Sequence, residues 1–294
     1  MKSPRFEYHA PSSAEQARAL LGHYRGEARV LAGGQSLVPL LHRRALHPAA
    51  LIDINRIGAL DRLGVDDDGA LVIGATARQS AVECFARVRD KWPVVAEALR
   101  NVAHPAVRNR GTVVGSICHA DPAAELPSLA IALDARITVA AGAGDRELSV
   151  ADLFDGRWQT RLDPDELATS LRIPAPAPRS GAAWLELARR RGDLPVAGVA
   201  AAVTIAADGV CERVRLVCAN VADTPFDARD AALLLVGKTI DEAAARSAGD
   251  LVGRDCEPRD DYQGTAAQRR HVVAVLVRRA LLLADARARA GSRL

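Results

Sequence analysis

The stretch "LAGGQSLVPLL", residues 31–41, joins an apolar run to an apolar pattern at helical spacing through two adjacent glycines. A strand that passes into a helix across glycines exposes backbone N–H groups without partners, and such groups attract an anion. Gln35 and Ser36 add side-chain hydrogen-bond donors at the same turn. The stretch therefore predicts a phosphate-binding turn, with a tight strand-to-helix turn that binds nothing as the alternative.

The composition is that of a globular protein with little net charge. The 294 residues are enough for two domains, and the 39 basic residues nearly balance the 36 acidic ones. No block of like charge is long enough to indicate a nucleic-acid partner. The N-terminal segment lacks the apolar core of a signal peptide, and no apolar run has membrane-spanning length. We therefore expect a cytoplasmic protein.

The cysteines predict free thiols. There are five, they are scattered, and none forms a Cys-x-x-Cys pair: Cys84, Cys118, Cys211, Cys218 and Cys256. This spacing fits neither a disulfide framework, nor a zinc site, nor an iron–sulfur cluster within the chain. We expect buried thiols that act as small apolar side chains.

Hydrophobic periodicity predicts an α+β chain in two pieces. Ser12 or Ser13 is the expected cap of a first helix, and Pro39 lies in the first turn of a second one. Apolar runs that flank turn residues predict hairpins at residues 60–75 and 135–150. The other expected elements before residue 170 are strands at 28–32 and 51–55, helical patterns over residues 81–103, a loop at 104–127 and a helix at 128–133.

The segment "RIPAPAPRSG", residues 172–181, marks the expected boundary between the two pieces. It alternates proline with alanine, and proline disfavours helix both at its own position and at the residue before it. A strand at 183–190, a strand pair at 199–217 and a helix at 266–290 are expected beyond it. That helix carries paired arginines, which predict a surface helix with cations toward solvent, or alternatively a docking surface: Arg269, Arg270, Arg278 and Arg279.

A second loop rich in small residues is "GTVVGSICHADPAAELP", residues 111–127. Its two glycine–hydroxyl pairs offer unhindered N–H groups and hydroxyl donors. Asp121 and Glu125 follow as acceptors for sugar hydroxyls or an imide N–H. His119 beside Asp121 is the alternative of a metal ligand or acid–base partner, but no second histidine lies near it. Two donor-rich loops followed by acids fit a dinucleotide whose pyrophosphate lies between them.

The signatures of several other nucleotide and hydrolase sites are absent from the sequence. It contains no G-x-G-x-x-G after a strand, no G-x-x-x-x-G-K-[ST], no H-E-x-x-H and no G-x-S-x-G. The simplest Rossmann, P-loop, zinc-protease and α/β-hydrolase interpretations are thereby excluded. The two loops are the motifs that remain.

The pair of loops resembles that of the FAD-binding subunit of molybdenum hydroxylases, the medium chain of the carbon monoxide dehydrogenase and xanthine dehydrogenase family. The family's first loop has the pattern A-G-G-x-S, matched by residues 32–36. Its second has R-N-x-G-T-[IV]-G-G-[SN] and then A-D-P-x-x-[DE]-x-P, matched by residues 108–116 and 120–127 except at Val114. The resemblance extends over nearly the whole chain, through "FEYHAPSSAEQARALL", "RRRGDLPVAGVAAAV", "VRLVCANVADTP" and "LVGK".

This resemblance implies a fold and a function. Residues 1–176 would form a two-part FAD-binding domain of the PCMH/vanillyl-alcohol-oxidase type, and residues 177–294 a smaller α+β C-terminal domain. The chain would hold FAD, accept electrons from two [2Fe–2S] clusters of a small partner chain and pass them to an external acceptor. A large partner would hold the molybdenum–pterin, in a dimer of three-chain units. No general acid or base is implied in this chain.

The cofactor-binding residues implied by the resemblance lie in the two loops and just beyond them. They are Leu31, Ala32, Gly33, Gly34, Gln35, Ser36, Leu37, Thr112, Val113, Val114, Gly115, Ser116, Asp121 and Glu125. Arg108 and Arg110 either meet phosphate or fix the loop through contacts to carbonyl groups. Two other functions remain as alternatives: a stand-alone FAD oxidoreductase, and a flavin-free assembly subunit of the same complex.

Two residues depart from the family pattern. Val114 stands where glycine is usual, and its side chain is expected beside the pyrophosphate. A β-branched residue is tolerated there if its φ is negative and strained if its φ is positive. Leu194 stands where relatives often carry an aromatic residue near the flavin ring, so it would cover the ring without stacking.

Overall fold

We describe residues 2–291 in a computed structural model of the chain. Met1 and residues 292–294, which the predicted domain ranges include, lie outside the described residues. Among residues 2–291 no helix combines the length and apolarity that crossing a membrane requires. The strands form a three-stranded, a five-stranded, a four-stranded and a small two-stranded sheet.

The first subdomain is a parallel sheet connected by helices. Its elements are β1 (Glu7–His9), α1 (Ala14–Tyr24), β2 (Ala28–Leu31), α2 (Leu37–His42) and β3 (Ala50–Asp53). The strand order is β1-β3-β2 with both pairs parallel, and parallel strands need such crossover helices. Ser13 caps α1, since its Oγ accepts a hydrogen bond from Gln16 N at 3.2 Å. The residues that follow β2 and β3 lie at the same edge of the sheet.

The second subdomain is an antiparallel sheet of order β4-β5-β10-β6-β7 with helices packed on it. Its strands include both predicted hairpins, β4–β5 and β6–β7. The elements are β4 (Leu63–Val65), β5 (Leu71–Gly74), α3 (Gln79–Cys84), α4 (Ala86–Lys91), α5 (Pro93–Asn101), α6 (Pro105–Arg108), α7 (Val113–His119), α8 (Glu125–Ala132), β6 (Arg136–Ala141), β7 (Gly144–Ser149), β8 (Phe154–Gly156), β9 (Gln159–Thr160) and β10 (Leu167–Ile173).

The C-terminal part is a four-stranded antiparallel sheet covered by helices. Its elements are β11 (Ser180–Leu187), β12 (Ala197–Ile205), β13 (Cys211–Ala219), β14 (Phe226–Asp227), α9 (Arg229–Leu233), α10 (Glu242–Asp255) and α11 (Ala266–Gly291). Helix α11 packs on β11, β12 and α10. This part has its own apolar core, as expected for a unit separate from the first. The division at residue 176 stays a prediction.

The helical patterns predicted over residues 81–103 are confirmed, whereas the loop predicted at residues 104–127 was wrong. The patterns belong to three separate helices, because Phe85 and Trp92 have non-helical backbone angles and Pro93 begins α5. The expected loop at residues 104–127 contains α6, α7 and the start of α8. Its prolines and small residues occur largely at helix ends and in first turns, where local composition looks like that of a loop.

Two predictions about exposure were also wrong in part. Cys84 is exposed, whereas Cys211, Cys218 and Cys256 are buried as expected and Cys118 is intermediate. Arg269, expected to point toward solvent, is 1% exposed. Its guanidinium donates to the carbonyl oxygens of Val196 at 2.9 Å and Asn220 at 3.0 Å and pairs with Asp261. Carbonyl and carboxylate acceptors thus pair with both terminal nitrogens of this buried cation.

The two parts of the chain pack against each other through apolar and polar contacts. Trp184 and Val217 of the C-terminal sheet belong to the N-terminal core. Arg287 forms a bidentate pair with Glu97, with both N–O distances at 2.9 Å. Helix α8 contacts β12 and β13. The segment that follows the second loop is therefore part of the interface between the two parts.

Candidate cofactor-binding site

The first predicted loop is an open turn between β2 and α2. Gly34 has φ +73°, a conformation that favours glycine. Within residues 2–291 the backbone N–H groups of Gly33, Gly34, Gln35 and Ser36 donate no hydrogen bond. Ser36 occupies the N-cap position of α2, and its side chain makes no cap hydrogen bond. The turn therefore presents a row of donors suited to an anion.

The second predicted loop is the N-terminal end of α7. Thr112 is the N-cap, and its Oγ1 accepts a hydrogen bond from Gly115 N at 3.1 Å. A Cβ atom added at Gly115 would lie 2.5 Å from that oxygen, so a side chain there would disturb the cap. Val113 and Val114 begin the helix with buried side chains. Ser116 is half-buried.

Val114 does not face the ligand side of this loop. It is absent from the positive-φ residues of the described chain and is 2% exposed, within the N-terminal core. The expectation that its side chain lies beside the pyrophosphate was wrong, because the first turn of α7 points it inward. Valine in place of glycine therefore introduces no backbone strain here.

The structure brings the two loops into direct contact at Gly33. A Cβ atom built there would lie 2.4 Å from the carbonyl oxygen of Arg110 and 2.7 Å from Gly111 Cα. Real side chains do not tolerate such distances, so only glycine fits between the loops. The first loop therefore lies directly against the residues that lead into α7.

A pair of polar side chains that the sequence did not reveal holds the loops together. Asn55 Nδ2 donates to the carbonyl oxygen of Ala32 at 2.8 Å. Arg78 donates to Asn55 Oδ1 at 2.6 Å and to the carbonyl oxygen of Arg110 at 2.8 Å. This clamp, Asn55 and Arg78, connects the carbonyl groups of both loops. Asn55 follows β3, whose carboxyl end lies beside that of β2. The parallel pairing of these two strands is therefore the feature from which its position near the first loop could have been predicted.

The two arginines of the second motif have different environments. Arg108 is buried, pairs with Glu83 at 2.9 Å and donates to the carbonyl oxygens of Val102 and Ala103 at 3.0 and 3.1 Å. The interpretation that Arg108 fixes the loop through carbonyl contacts is therefore confirmed. Arg110 is exposed, and its carbonyl group rather than its guanidinium joins the clamp.

Asp121 and Glu125 lie beyond α7 in contrasting surroundings. Asp121 is half-buried, and its Oδ1 accepts a hydrogen bond from Ala123 N at 2.9 Å, which leaves the other oxygen for a ligand. Glu125 begins α8 with a side chain only 3% exposed. Burial, reinforced by the charge of Glu186, raises the pKa of Glu125 to about 8. Glu125 is therefore largely protonated at neutral pH and able to donate a hydrogen bond.

Glu186, on β11, belongs to the same acidic pair across the interface. Trp184 Nε1 donates to Glu186 Oε2 at 2.8 Å, and burial raises the pKa of Glu186. Burial lowers the pKa of His119, two residues before Asp121, which favours the neutral imidazole. Burial thus favours the neutral form of both Glu186 and His119.

Comparisons with known proteins identify the family of the chain. Residues 4–176 match the family described as the FAD binding domain in molybdopterin dehydrogenase, and residues 182–284 match the CO dehydrogenase flavoprotein C-terminal domain. The carbon monoxide dehydrogenase medium chain of Hydrogenophaga pseudoflava is 37% identical over 288 residues, 98% of this chain and 99% of that one. The 6-hydroxypseudooxynicotine dehydrogenase complex subunit alpha of Paenarthrobacter nicotinovorans is 35% identical, with 98% and 97% covered.

Solved structures extend the likeness to the whole fold. A carbon monoxide dehydrogenase from Hydrogenophaga pseudoflava, solved without the Mo-pyranopterin moiety of its molybdenum cofactor, matches with TM-score 0.94 at 37% identity and covers 98% of this chain and 99% of that chain. Quinoline 2-oxidoreductase from Pseudomonas putida 86 matches with TM-score 0.90 at 34% identity, covering 99% and 100%.

The fold and the paired loops are those of an FAD-binding protein built from two subdomains and a C-terminal domain. The chain belongs to the family of FAD-binding subunits of molybdopterin dehydrogenases. It is accordingly a subunit of an oxidoreductase. The residues present fit FAD, because the surface that only glycine permits at residue 33 is lined by unpaired N–H donors, as a diphosphate requires.

Proposed function

We propose that this chain carries electrons within a molybdenum hydroxylase complex. It would accept them from two [2Fe–2S] clusters of a small partner subunit and pass them, through its FAD, to an external acceptor. A large partner subunit would hold the molybdenum–pterin, and the complex would be a dimer of three-chain units. The observation that carries the proposal is the contact of Gly33 with Arg110 and Gly111, which joins the two donor-rich loops into one site.

Each loop has a separate role in holding the diphosphate. The N–H groups of the first loop would point at its oxygens, with the Ser36 hydroxyl as a further donor. The N-terminal turn of α7 would approach from the other side, where Thr112 already orders Gly115. The full set proposed for the cofactor is Leu31, Ala32, Gly33, Gly34, Gln35, Ser36, Leu37, Thr112, Val113, Val114, Gly115, Ser116, Asp121 and Glu125, with Val113 and Val114 acting through backbone only.

Bound FAD supplies the exchange of one or two electrons, for which the protein itself has no group. The chain's own residues bind and orient the cofactor and exclude water. The clamp of Asn55 and Arg78 keeps the loops at a fixed separation before the cofactor arrives, which lowers the entropy lost on binding. Glu125, protonated at neutral pH, would donate to a hydroxyl or carbonyl of the cofactor without adding negative charge. No general acid or base is proposed.

The position of Val114 bears on the flavin-free alternative. That alternative was motivated by the valine in the second loop, and the valine side chain lies in the core instead of the site. The stand-alone oxidoreductase remains an outcome of the experiment below. The cytoplasmic location remains a prediction.

The proposal is tested by expressing the chain alone and together with the genes that neighbour its own. We expect a yellow protein that releases FAD on heating and that co-purifies with subunits containing molybdenum and iron–sulfur clusters. A colourless protein that still assembles would instead support a scaffold, and a yellow chain that turns over a substrate unaided would support a stand-alone enzyme. Either result would contradict the proposal.

The matched variants for this experiment are Gly34→Val and Gly58→Val. Gly34 has φ +73°, and its Cβ would lie 3.1 Å from Leu31 Cδ1 and 3.3 Å from Val38 Cγ2. We expect Gly34→Val to lose FAD while the far-ultraviolet circular dichroism of the chain is kept. A Cβ at Gly58 meets nothing within 4 Å, so that variant should retain FAD. Equal flavin content in the two variants would refute the role of the first loop.

A further inference from the structure

A cavity of about 270 Å³ opens in the C-terminal part, between the loop before β12 and the loop before α11. It is bordered by Arg189, Arg190, Asp193, Leu194, Tyr262 and Gln263. A cavity of this size suits one flat ring system rather than a whole dinucleotide. Its walls are mainly polar, and Leu194 and Tyr262 supply the apolar surface against which a ring could pack.

The two loops that border the cavity are fixed to each other by reciprocal hydrogen bonds. Arg189 donates to the carbonyl oxygen of Tyr262 at 3.0 Å, and Gln263 Nε2 donates to the carbonyl oxygen of Leu194 at 3.0 Å. The buried guanidinium of Arg269 donates a hydrogen bond to the carboxylate of Asp261, the residue before Tyr262. The main chain on both sides of the cavity is thus anchored before any ligand binds.

The main chain of Tyr262 is held by a hydrogen bond, whereas its side chain is exposed to solvent. It is 81% exposed, the largest exposed fraction among the large hydrophobic residues of the described chain. Its hydroxyl makes no hydrogen bond to residues 2–291. An aromatic ring held on an anchored loop at the mouth of a cavity is arranged to cover a ligand.

The cavity is connected to the cofactor site through Asn220. The Asn220 side chain donates to the carbonyl oxygen of Pro195 at 2.6 Å, and its backbone N–H donates to that of Pro122 at 2.7 Å. Pro195 is next to Leu194, and Pro122 is next to Asp121. Asn220 thus links the loops that border the cavity to the segment that follows α7.

We propose that Tyr262 packs against the isoalloxazine ring of the bound cofactor, opposite or beside Leu194. This inference rests on the proposed function, because it assumes that FAD occupies the two-loop site. Leucine at residue 194 gives apolar contact without stacking, and Tyr262 supplies the aromatic face that the cavity otherwise lacks. Tyr262 would thereby cover the ring and tune its accessibility to an electron acceptor.

Trp158 is the other exposed aromatic residue near this segment, and the structure favours Tyr262 over it. The Trp158 side chain is exposed, with the residue 57% accessible, and its backbone N–H donates to the carbonyl oxygen of Ala120 at 2.9 Å. However, Arg157 already covers its ring, with the guanidinium carbon 4.8 Å from the ring centroid. Trp158 also lies outside the residues that border the cavity.

The test uses the full chain loaded with FAD and measures flavin fluorescence and FAD affinity together. Tyrosine in contact with isoalloxazine quenches flavin fluorescence by electron transfer. We expect Tyr262→Leu to lose this quenching and to weaken FAD affinity about 2- to 12-fold, the equivalent of one aromatic contact. Trp158→Leu is the matched control and should keep the quenching of the wild type.

A rescue variant separates a direct contact from a general change in the loop. Because residues 194 and 262 border the same cavity, Leu194→Tyr combined with Tyr262→Leu should restore the quenching. If Tyr262→Leu retains FAD with the quenching of the wild type, or if the double variant stays bright, the assignment of Tyr262 is wrong while the proposed function stands. If the wild-type chain holds no FAD, both proposals fail.

Discussion

Gly33→Ala perturbs the single contact on which the cofactor site depends. The new Cβ would lie 2.4 Å from the carbonyl oxygen of Arg110, whereas ordinary contact begins at 3.4 Å. The two loops must therefore separate by about 1 Å to admit one methyl group. Backbone lies on both sides of the contact, so no flexible side chain can move away instead.

The expected magnitude follows from what that oxygen already does. It accepts the hydrogen bond of Arg78 at 2.8 Å, and Arg78 also holds Asn55, which binds the first loop. A hydrogen bond to a charged group contributes about 1.5–3 kcal/mol. If the separated loops must forgo this bond to reach the diphosphate, FAD affinity falls about 10- to 150-fold.

The assay is a titration of the apo chain with FAD, followed by flavin fluorescence and by calorimetry. Gly58→Ala is the matched control, because a Cβ there meets nothing within 4 Å and it lies in the same domain. Circular dichroism of both variants checks that the secondary structure is retained. If Gly33→Ala binds FAD as tightly as Gly58→Ala, the two loops do not form a joint site and the reasoning is refuted.

Three further predictions concern stability. Val114→Gly removes a core side chain from α7 and should lower the free energy of unfolding by about 2–4 kcal/mol in urea denaturation, with FAD affinity unchanged or tighter; an unchanged unfolding midpoint would contradict the inward orientation. The pKa of Glu125 is about 8 in the fold and 4.5 for an ordinary glutamate, so the folded state binds the extra proton and wild-type stability should fall as pH rises from 4.5 to 8. Glu125→Gln should remove that part of the pH dependence of the melting temperature, and parallel curves for the two proteins would refute it. Arg108→Gln breaks a buried ion pair and should cost about 3 kcal/mol of stability, whereas Arg110→Gln, on the surface, should change it by less than about 0.5 kcal/mol; equal losses would show that the two arginines are not distinguished by burial.

The two binding loops were predictable from sequence because their chemistry is local. Adjacent glycines, a helix cap and hydroxyl donors act on backbone groups within a few residues. The local conformation of "AGGQS" and "RNRGT" can therefore be predicted largely from their own residues. The hairpins followed for the same reason, since their pattern and turn residues are neighbours in the chain. The helices within residues 104–127 were not predicted, because short helices that begin at proline or threonine have the composition of a loop.

The amino-acid sequence by itself determined which segments can bind an anion and which alternate between strand and helix. Tertiary packing alone decided that Gly33 touches Arg110, that Asn55 and Arg78 hold both loops, and that Val114 turns into the core. It also placed Arg269 inside and Glu125 opposite Glu186. The physical reason is that burial and long-range hydrogen bonds depend on which distant segments come into contact. A local sequence pattern contains no information about those contacts.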